Sequence, residues 1–240
     1  MKLKLYETKK LHYGEYLYKL VVPNQVAPHF RTEHQTDGKL GYVRERLDTL
    51  NRHFEPSQPV IVIPTNYESK FFSVRSRLHT DETLVEHYYD AIEIYRHLKN
   101  APKEYKLRTE NFILHIYSNN RDFIINLSNK LRHKHKEFWE PDPEKANLLE
   151  KDIIIKDKPV KFQYKITLGK KKGSPALPKW IDNNPSISKM GETAKQYCNM
   201  STFVKGYYFY VKDDKALFLV QMIVGDNIQR IEKLVYSPKS

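Results

Sequence analysis

A single cysteine, Cys198, stands in a chain of 240 residues. One thiol excludes an internal disulfide framework and any zinc site built from cysteines alone. No apolar run approaches the ~18 residues needed to span a bilayer, and the opening Met-Lys-Leu-Lys lacks the apolar core of a secretory signal. Glycine is scarce, with 8 in the chain. None of them forms a dinucleotide fingerprint, a P-loop or a nucleophile elbow, and a His-Glu-x-x-His zinc helix is missing as well. These absences describe a soluble protein of a reducing compartment, expected in the cytoplasm (a host cytoplasm if the source is viral). No membrane partner and no cofactor are expected.

Positive charge and aromatic rings are abundant. The chain carries 41 lysines and arginines against 29 acidic residues, for a formal charge of +12, and it holds 17 tyrosines and 11 phenylalanines. That balance favours polyanionic partners, through phosphate contacts and release of their counterions. Residues 159–240 hold 14 basic and 6 acidic side chains, so phosphate binding is expected in the last third. Lysine (30) far outnumbers arginine (11), a bias shared by AT-rich genomes such as those of many phages.

Hydrophobic spacing predicts an α+β protein. In the first third, 16–22 reads as a strand and 39–54 as an amphipathic helix on Leu40, Val43, Leu47, Leu50 and Phe54. Short strands follow at 60–63 and 70–75. Leu84, Tyr88, Ala91, Tyr95 and Leu98 mark a second helix opened by Thr80 or Asp81, before an extended 105–108. The middle offers strands at 113–117, 137–139 and 153–155, and a helix carrying Ile124, Leu127 and Leu131. In the last third, 161–168 alternates as a strand and a short helix surrounds 177–182. An aromatic strand at 206–211, a nearly all-apolar helix at 215–224 and a closing strand at 230–236 complete the chain. The β-α-β-β-α-β order is the ferredoxin-like, split βαβ arrangement. The expectation is two such units with antiparallel sheets, 1–110 and 159–240, joined by a short α/β insert at 111–158. Tyr18-Lys19-Leu20 and Tyr164-Lys165-Ile166 begin the two patterns alike, which suggests internal duplication.

The most informative string is Lys205-Gly206-Tyr207-Tyr208-Phe209-Tyr210-Val211. In a pleated strand Tyr207 and Phe209 share one face, and Tyr208 and Tyr210 the other. One pair enters the core and the other is presented beside lysines; the sequence leaves open which. The string resembles the RNP1 motif of RNA-recognition-motif domains, Lys/Arg-Gly-Phe/Tyr-Gly/Ala-Phe-Val-x-Phe/Tyr. Lys205, Gly206, Tyr207 and Phe209 match, while Tyr208, Tyr210 and Lys212 depart from it. The resemblance implies that Tyr207 and Phe209 stack bases, with Phe162 or Tyr164 on a partner strand.

Gly169-Lys170-Lys171-Lys172-Gly173 adds three adjacent ammonium groups between two flexible residues. They suit successive phosphates, or else form a solvated loop. The expected ligand is RNA or single-stranded DNA, held by Lys165, Lys170, Lys171, Lys172, Lys205, Tyr164, Tyr207 and Phe209.

Catalytic candidates are few. His133-Lys134-His135 has the H-x-H form that binds a metal in HUH endonucleases. Here it falls at the end of a helix, where i,i+2 side chains do not face each other, and a basic helix C-terminus accounts for it. Glu82, Glu86, Asp90 and Glu93 line one predicted helix face, as a solvated stripe, as partners of Arg75, Arg77 and Arg96, or as Mg²⁺ ligands. Two other functions compete with plain binding. One is a metal-independent ribonuclease using His133 or His135, resembling CRISPR RNA-processing nucleases in architecture. The other is a structural subunit of a nucleoprotein particle, with a protein partner or a second copy of itself.

Overall fold

The structure, a computed structural model, describes residues 4–30, 40–63, 82–101 and 105–238, with the backbone alone at Gly41 and Tyr42. The expected strand at 70–75, Thr80, Asp81, Arg75 and Arg77 lie outside the described residues. The protein is α+β, with two five-stranded mixed sheets in two compact units. One unit comprises residues 1–8 and 16–140, the other 9–15 and 141–240.

The N-terminal unit contains β1 (Lys4–Glu7), β2 (Tyr18–Pro23), α1 (Gly41–Arg52), β3 (Val60–Val62), β4 (Glu82–Leu84) and α2 (Val85–Lys99). It continues with β5 (Tyr105–Glu110), β6 (Ile113–Ser118), α3 (Arg121–Lys130) and β7 (Glu137–Glu140). The sheet runs β1-β7-β2-β6-β5, antiparallel at every junction except β1 with β7. Without β1, the four remaining strands stand in the order fourth, first, third, second, which agrees with the split βαβ arrangement. Leu20, Val22, Leu107, Leu114, Ile116 and Phe138 turn to one face. There they pack with Val43, Leu47 and Leu50 of α1, Tyr88, Ala91, Ile94 and Leu98 of α2, and Ile124 and Leu127 of α3. The Asn120 side chain caps α3 by accepting the Phe123 N–H at 2.9 Å, a contact worth about 1 kcal/mol. Helix α2 starts at Val85, because 82–84 pair with β3 instead.

The C-terminal unit contains β8 (Ile153–Lys156), β9 (Tyr164–Leu168), α4 (Ala176–Asn183), β10 (Ser188–Met190), α5 (Glu192–Asn199), β11 (Tyr208–Val211), α6 (Asp214–Val224) and β12 (Ile228–Tyr236). Its sheet runs β10-β11-β9-β12-β8, again antiparallel except for β8 beside β12. Tyr164, Ile166, Leu168, Phe209 and Val211 face Leu177 and Ile181 of α4, Ala194 and Cys198 of α5, and Ala216 and Val220 of α6. Residues 9–15 belong here too, for the Lys9 carbonyl accepts the Ile155 N–H of the edge strand at 2.8 Å.

Three expectations need correction. The sheets are mixed, because each gains a parallel edge strand from the chain that precedes the split βαβ core. The insert at 111–158 does not stand apart: β6, α3 and β7 complete the first sheet, and β8 joins the second. A boundary at 110 would cut the β5–β6 hairpin, whose two-residue turn uses Asn111 at φ 51°, a conformation asparagine tolerates. Helix α5 is an addition to the expected elements, and it leaves little apolar pattern because Ala194 and Cys198 are its only buried residues. Among the described residues, no helix is long and apolar enough to cross a membrane.

Candidate functional site

The three helices of the C-terminal unit cover one face of its sheet, and the other face carries the candidate site. Strand alternation settles its composition. Phe209 points into the core at 0% exposure, whereas Tyr208 is 46% exposed on the helix-free face with Tyr210 half-buried beside it. The base-stacking role assigned to Tyr207 and Phe209 by resemblance therefore does not fit their placement. Tyr207 precedes β11 in a turn closed by its N–H to the Val204 carbonyl (3.0 Å), and its ring packs 5.0 Å from Tyr197. Tyr164 is buried too, and its hydroxyl donates to the Asp214 carboxylate at the start of α6.

Lys165 lies at the centre of the open face. Its register partners are Tyr210 on β11 and Glu232 on β12. The ammonium stands 4.5 Å from the centroid of the Tyr208 ring and 3.6 Å from Glu232. Tyr208 and Tyr210 meet edge to face at 5.6 Å, Phe162 stacks 6.5 Å from Tyr210, and Lys161 lies 5.3 Å over Phe162. Exposed Lys189, opposite Tyr210 on β10, extends the positive rim. Glu232 is buried among Lys10, Lys165 and Arg230. Burial works against its charged form, yet the Lys10 hydrogen bond and the three cations hold its carboxyl below the ordinary carboxylate range. One acid thus anchors three bases at the margin of an aromatic surface.

The basic loop is fixed at its backbone. Asn227 Oδ1 accepts the Lys171 N–H at 3.0 Å, and Asn227 Nδ2 donates to the Lys171 and Lys172 carbonyls. Gly173 is required by close approach, since an added Cβ would lie 2.7 Å from Cys198 Cα on α5. Lys170, Lys171 and Lys172 are exposed, with Lys171 paired to Asp226. Lys205 is exposed at the turn before β11, next to Gly206, whose φ of 86° only glycine adopts readily.

The N-terminal sheet carries a related but closed face. Lys19 stands 5.0 Å from the Trp139 ring and 5.9 Å from Tyr117, and Trp139 stacks on Tyr6 at 4.6 Å. Tyr117 is 4% exposed, and burial pushes the Lys19 ammonium below its ordinary value. Its rings are not open in the way that Tyr208 is.

The His133 and His135 rings meet edge to face at 5.6 Å, one buried and the other exposed. The His133 Nδ1 accepts the His135 backbone N–H at 3.1 Å. The aromatic neighbour of His133 on α2 is His87, at 5.0 Å, a relation that nothing in the sequence announces. Burial, then the nearby His133, holds the His87 imidazole below its ordinary value. The acidic stripe is broken up. Glu82 belongs to β4, Glu93 pairs with Arg96 at 3.2 Å, and Asp90 is buried, accepting the Arg132 and His133 N–H groups at 2.6 and 3.0 Å. Sequence reasoning does not reach Lys10, Arg230 and Glu232, which the register gathers around Lys165. Comparison with protein-family models, with curated proteins and with solved structures finds no match to this chain.

Proposed function

We propose that this protein binds single-stranded nucleic acid, RNA or DNA, on the helix-free face of its C-terminal sheet. The observation that carries the reading is Tyr208, exposed beside Tyr210 and Phe162 with the Lys165 ammonium against its ring. Exposed rings stack on bases whatever their identity, and neighbouring cations neutralise the phosphates between them. The formal charge of +12 and the fixed lysine loop supply the sequence-independent attraction. The nucleic-acid role thus moves by one residue from the motif-based assignment, from Tyr207 and Phe209 to Tyr208 and Tyr210, and keeps Lys165, Lys170, Lys171, Lys172 and Lys205.

The test is fluorescence anisotropy with labelled mixed-sequence RNA and single-stranded DNA. Binding is expected at low salt, falling steeply as salt rises, and a Tyr208→Ala/Tyr210→Ala protein should bind more weakly at every salt concentration. Wild-type protein that shifts neither probe at low salt contradicts the reading.

A further inference from the structure

Far from the aromatic face in sequence, α2 and the loop between α3 and β7 bring together Glu86, His87 and His133. One ligating atom from each lies within 4.8 Å of the other two. His87 and His133 are 8% and 9% exposed, and Glu86 is exposed at the mouth of the cluster. The arrangement is held from behind. Asp90, one helical turn beyond Glu86, accepts the backbone N–H groups of Arg132 and His133, and Arg132 lies 3.9 Å over the Tyr89 ring. The loop is therefore docked on α2 by contacts that do not involve the imidazoles.

His87 carries the second, independent observation. Its Nδ1 is 3.1 Å from Gln25 Oε1 and accepts the Gln25 backbone N–H at 3.3 Å. Its Nε2 is buried with no hydrogen-bond partner. Nδ1 accepts the Gln25 N–H in one tautomer and donates to Gln25 Oε1 in the other, and an ion selects the second, because it leaves a lone pair on Nε2. A carbonyl that receives one ring N–H and frees the other nitrogen is how ligating histidines are commonly oriented. A buried ring nitrogen left without a partner is otherwise a net cost.

We propose that Glu86, His87 and His133 form a binding site for a divalent transition-metal ion of the zinc class. Two imidazoles and one carboxylate suit Zn²⁺ or Co²⁺, whereas Mg²⁺ and Ca²⁺ prefer oxygen-only shells. Three protein ligands leave a fourth position open at the Glu86 side. Metal–ligand distances of about 2.0–2.2 Å require the three atoms to draw closer by about 1 Å. Exposed Glu86 supplies most of that movement. His133 gives up one hydrogen bond: either Nδ1 turns to the ion, or the ring proton moves to Nδ1 and Nε2 binds. In both cases the His135 N–H is released, and the ion ties the first turn of α2 to the loop before β7.

The experiment uses the full chain, stripped with EDTA and desalted, then titrated with ZnCl2 by calorimetry and with CoCl2 by visible absorption. Expected are one saturable equivalent, a Co²⁺ spectrum of tetrahedral intensity, and a melting temperature raised by Zn²⁺. His133→Ala and Glu86→Gln should each weaken binding about 10-fold or more, while His135→Ala and His53→Ala leave it unchanged. Glu86 is exposed, so Glu86→Gln should melt like the wild type without metal and lose the Zn²⁺-induced rise. No saturable binding, or binding that survives Glu86→Gln and His133→Ala unchanged, overturns the proposal and assigns any uptake to surface histidines.

Discussion

Lys19 on β2 and Lys165 on β9 occupy the same register position in two sheets of one strand order. Lys19 is paired with Tyr117 on the third strand of its split βαβ core and with Trp139 on the fourth. Lys165 is paired with Tyr210 and Glu232 at the corresponding places. The next residues repeat the relation: Leu20 opposes Ile116 and Phe138, and Ile166 opposes Phe209 and Ile231. Each sheet also adds a preceding strand parallel to the fourth. The same scaffold thus carries two versions of one central lysine, closed under Tyr117 in one unit and open beside Tyr208 in the other.

The register of β11 separates a stability residue from a binding residue. Phe209→Ala should cost about 3–5 kcal/mol of stability, as expected for truncating a fully buried phenylalanine. Tyr208→Ala should change stability by less than about 0.5 kcal/mol and weaken oligonucleotide binding by about 1–3 kcal/mol for each base it stacks. Denaturant titration and anisotropy on the two variants give the comparison. A stable Phe209→Ala protein with impaired binding would reverse the assignment.

The Glu232 cluster should make the C-terminal unit acid-sensitive. The folded carboxyl titrates below its unfolded value, so its stabilisation is complete above about pH 4.3 and is lost as pH falls toward the folded value. Glu232→Gln should lower the melting temperature at neutral pH, because Lys10, Lys165 and Arg230 then face one another without their acid. The variant should also show a flatter loss below about pH 5. Melting curves across that range check both parts, and parallel curves for the two proteins would rule out the cluster as the source.

Sequence patterning reaches the element order and the basic unit, and it stops where side-chain contrast vanishes. Tyr207, Tyr208, Phe209 and Tyr210 are all rings, so period-2 alternation has no polar residue with which to mark the solvent face. Helix α6 reads as apolar on every side, yet Ala216 and Val220 are its buried residues while Phe218 and Met222 are 63% and 70% exposed. The edge strands β1 and β8 have four residues each, too few to show a period, and their pairing is set by the strand they join. The convergence of His87 with His133 depends on how α2 meets a distant loop, which local spacing does not encode.

Close packing between the lysine loop and α5 gives a sharp steric test. Gly173→Ala places a Cβ within 2.9 Å of Cys198 Cα, Cys198 Sγ and Val204 Cγ1. Helix backbone cannot yield cheaply, so a destabilisation of about 1–3 kcal/mol is expected. Chemical denaturation measures it, and a neutral substitution would show that α5 packs loosely against the loop.

The loop lysines should act through salt dependence. Lys170→Gln and Lys172→Gln should each reduce the slope of log affinity against log salt by about 0.7 for every single-strand phosphate that is no longer neutralised. Lys171→Gln should have a smaller effect, because that ammonium already pairs with Asp226. Slopes that are identical in all three variants would remove the loop from the interface.

The most direct test is a photo-crosslinking map of the full chain on a mixed single-stranded oligonucleotide, with crosslinked peptides assigned by mass spectrometry. Crosslinks at Tyr208, Tyr210 and Phe162, with lysines 170–172 close by, are the predicted result. Crosslinks confined to the N-terminal unit, or none at low salt, would contradict a binding face on the C-terminal sheet.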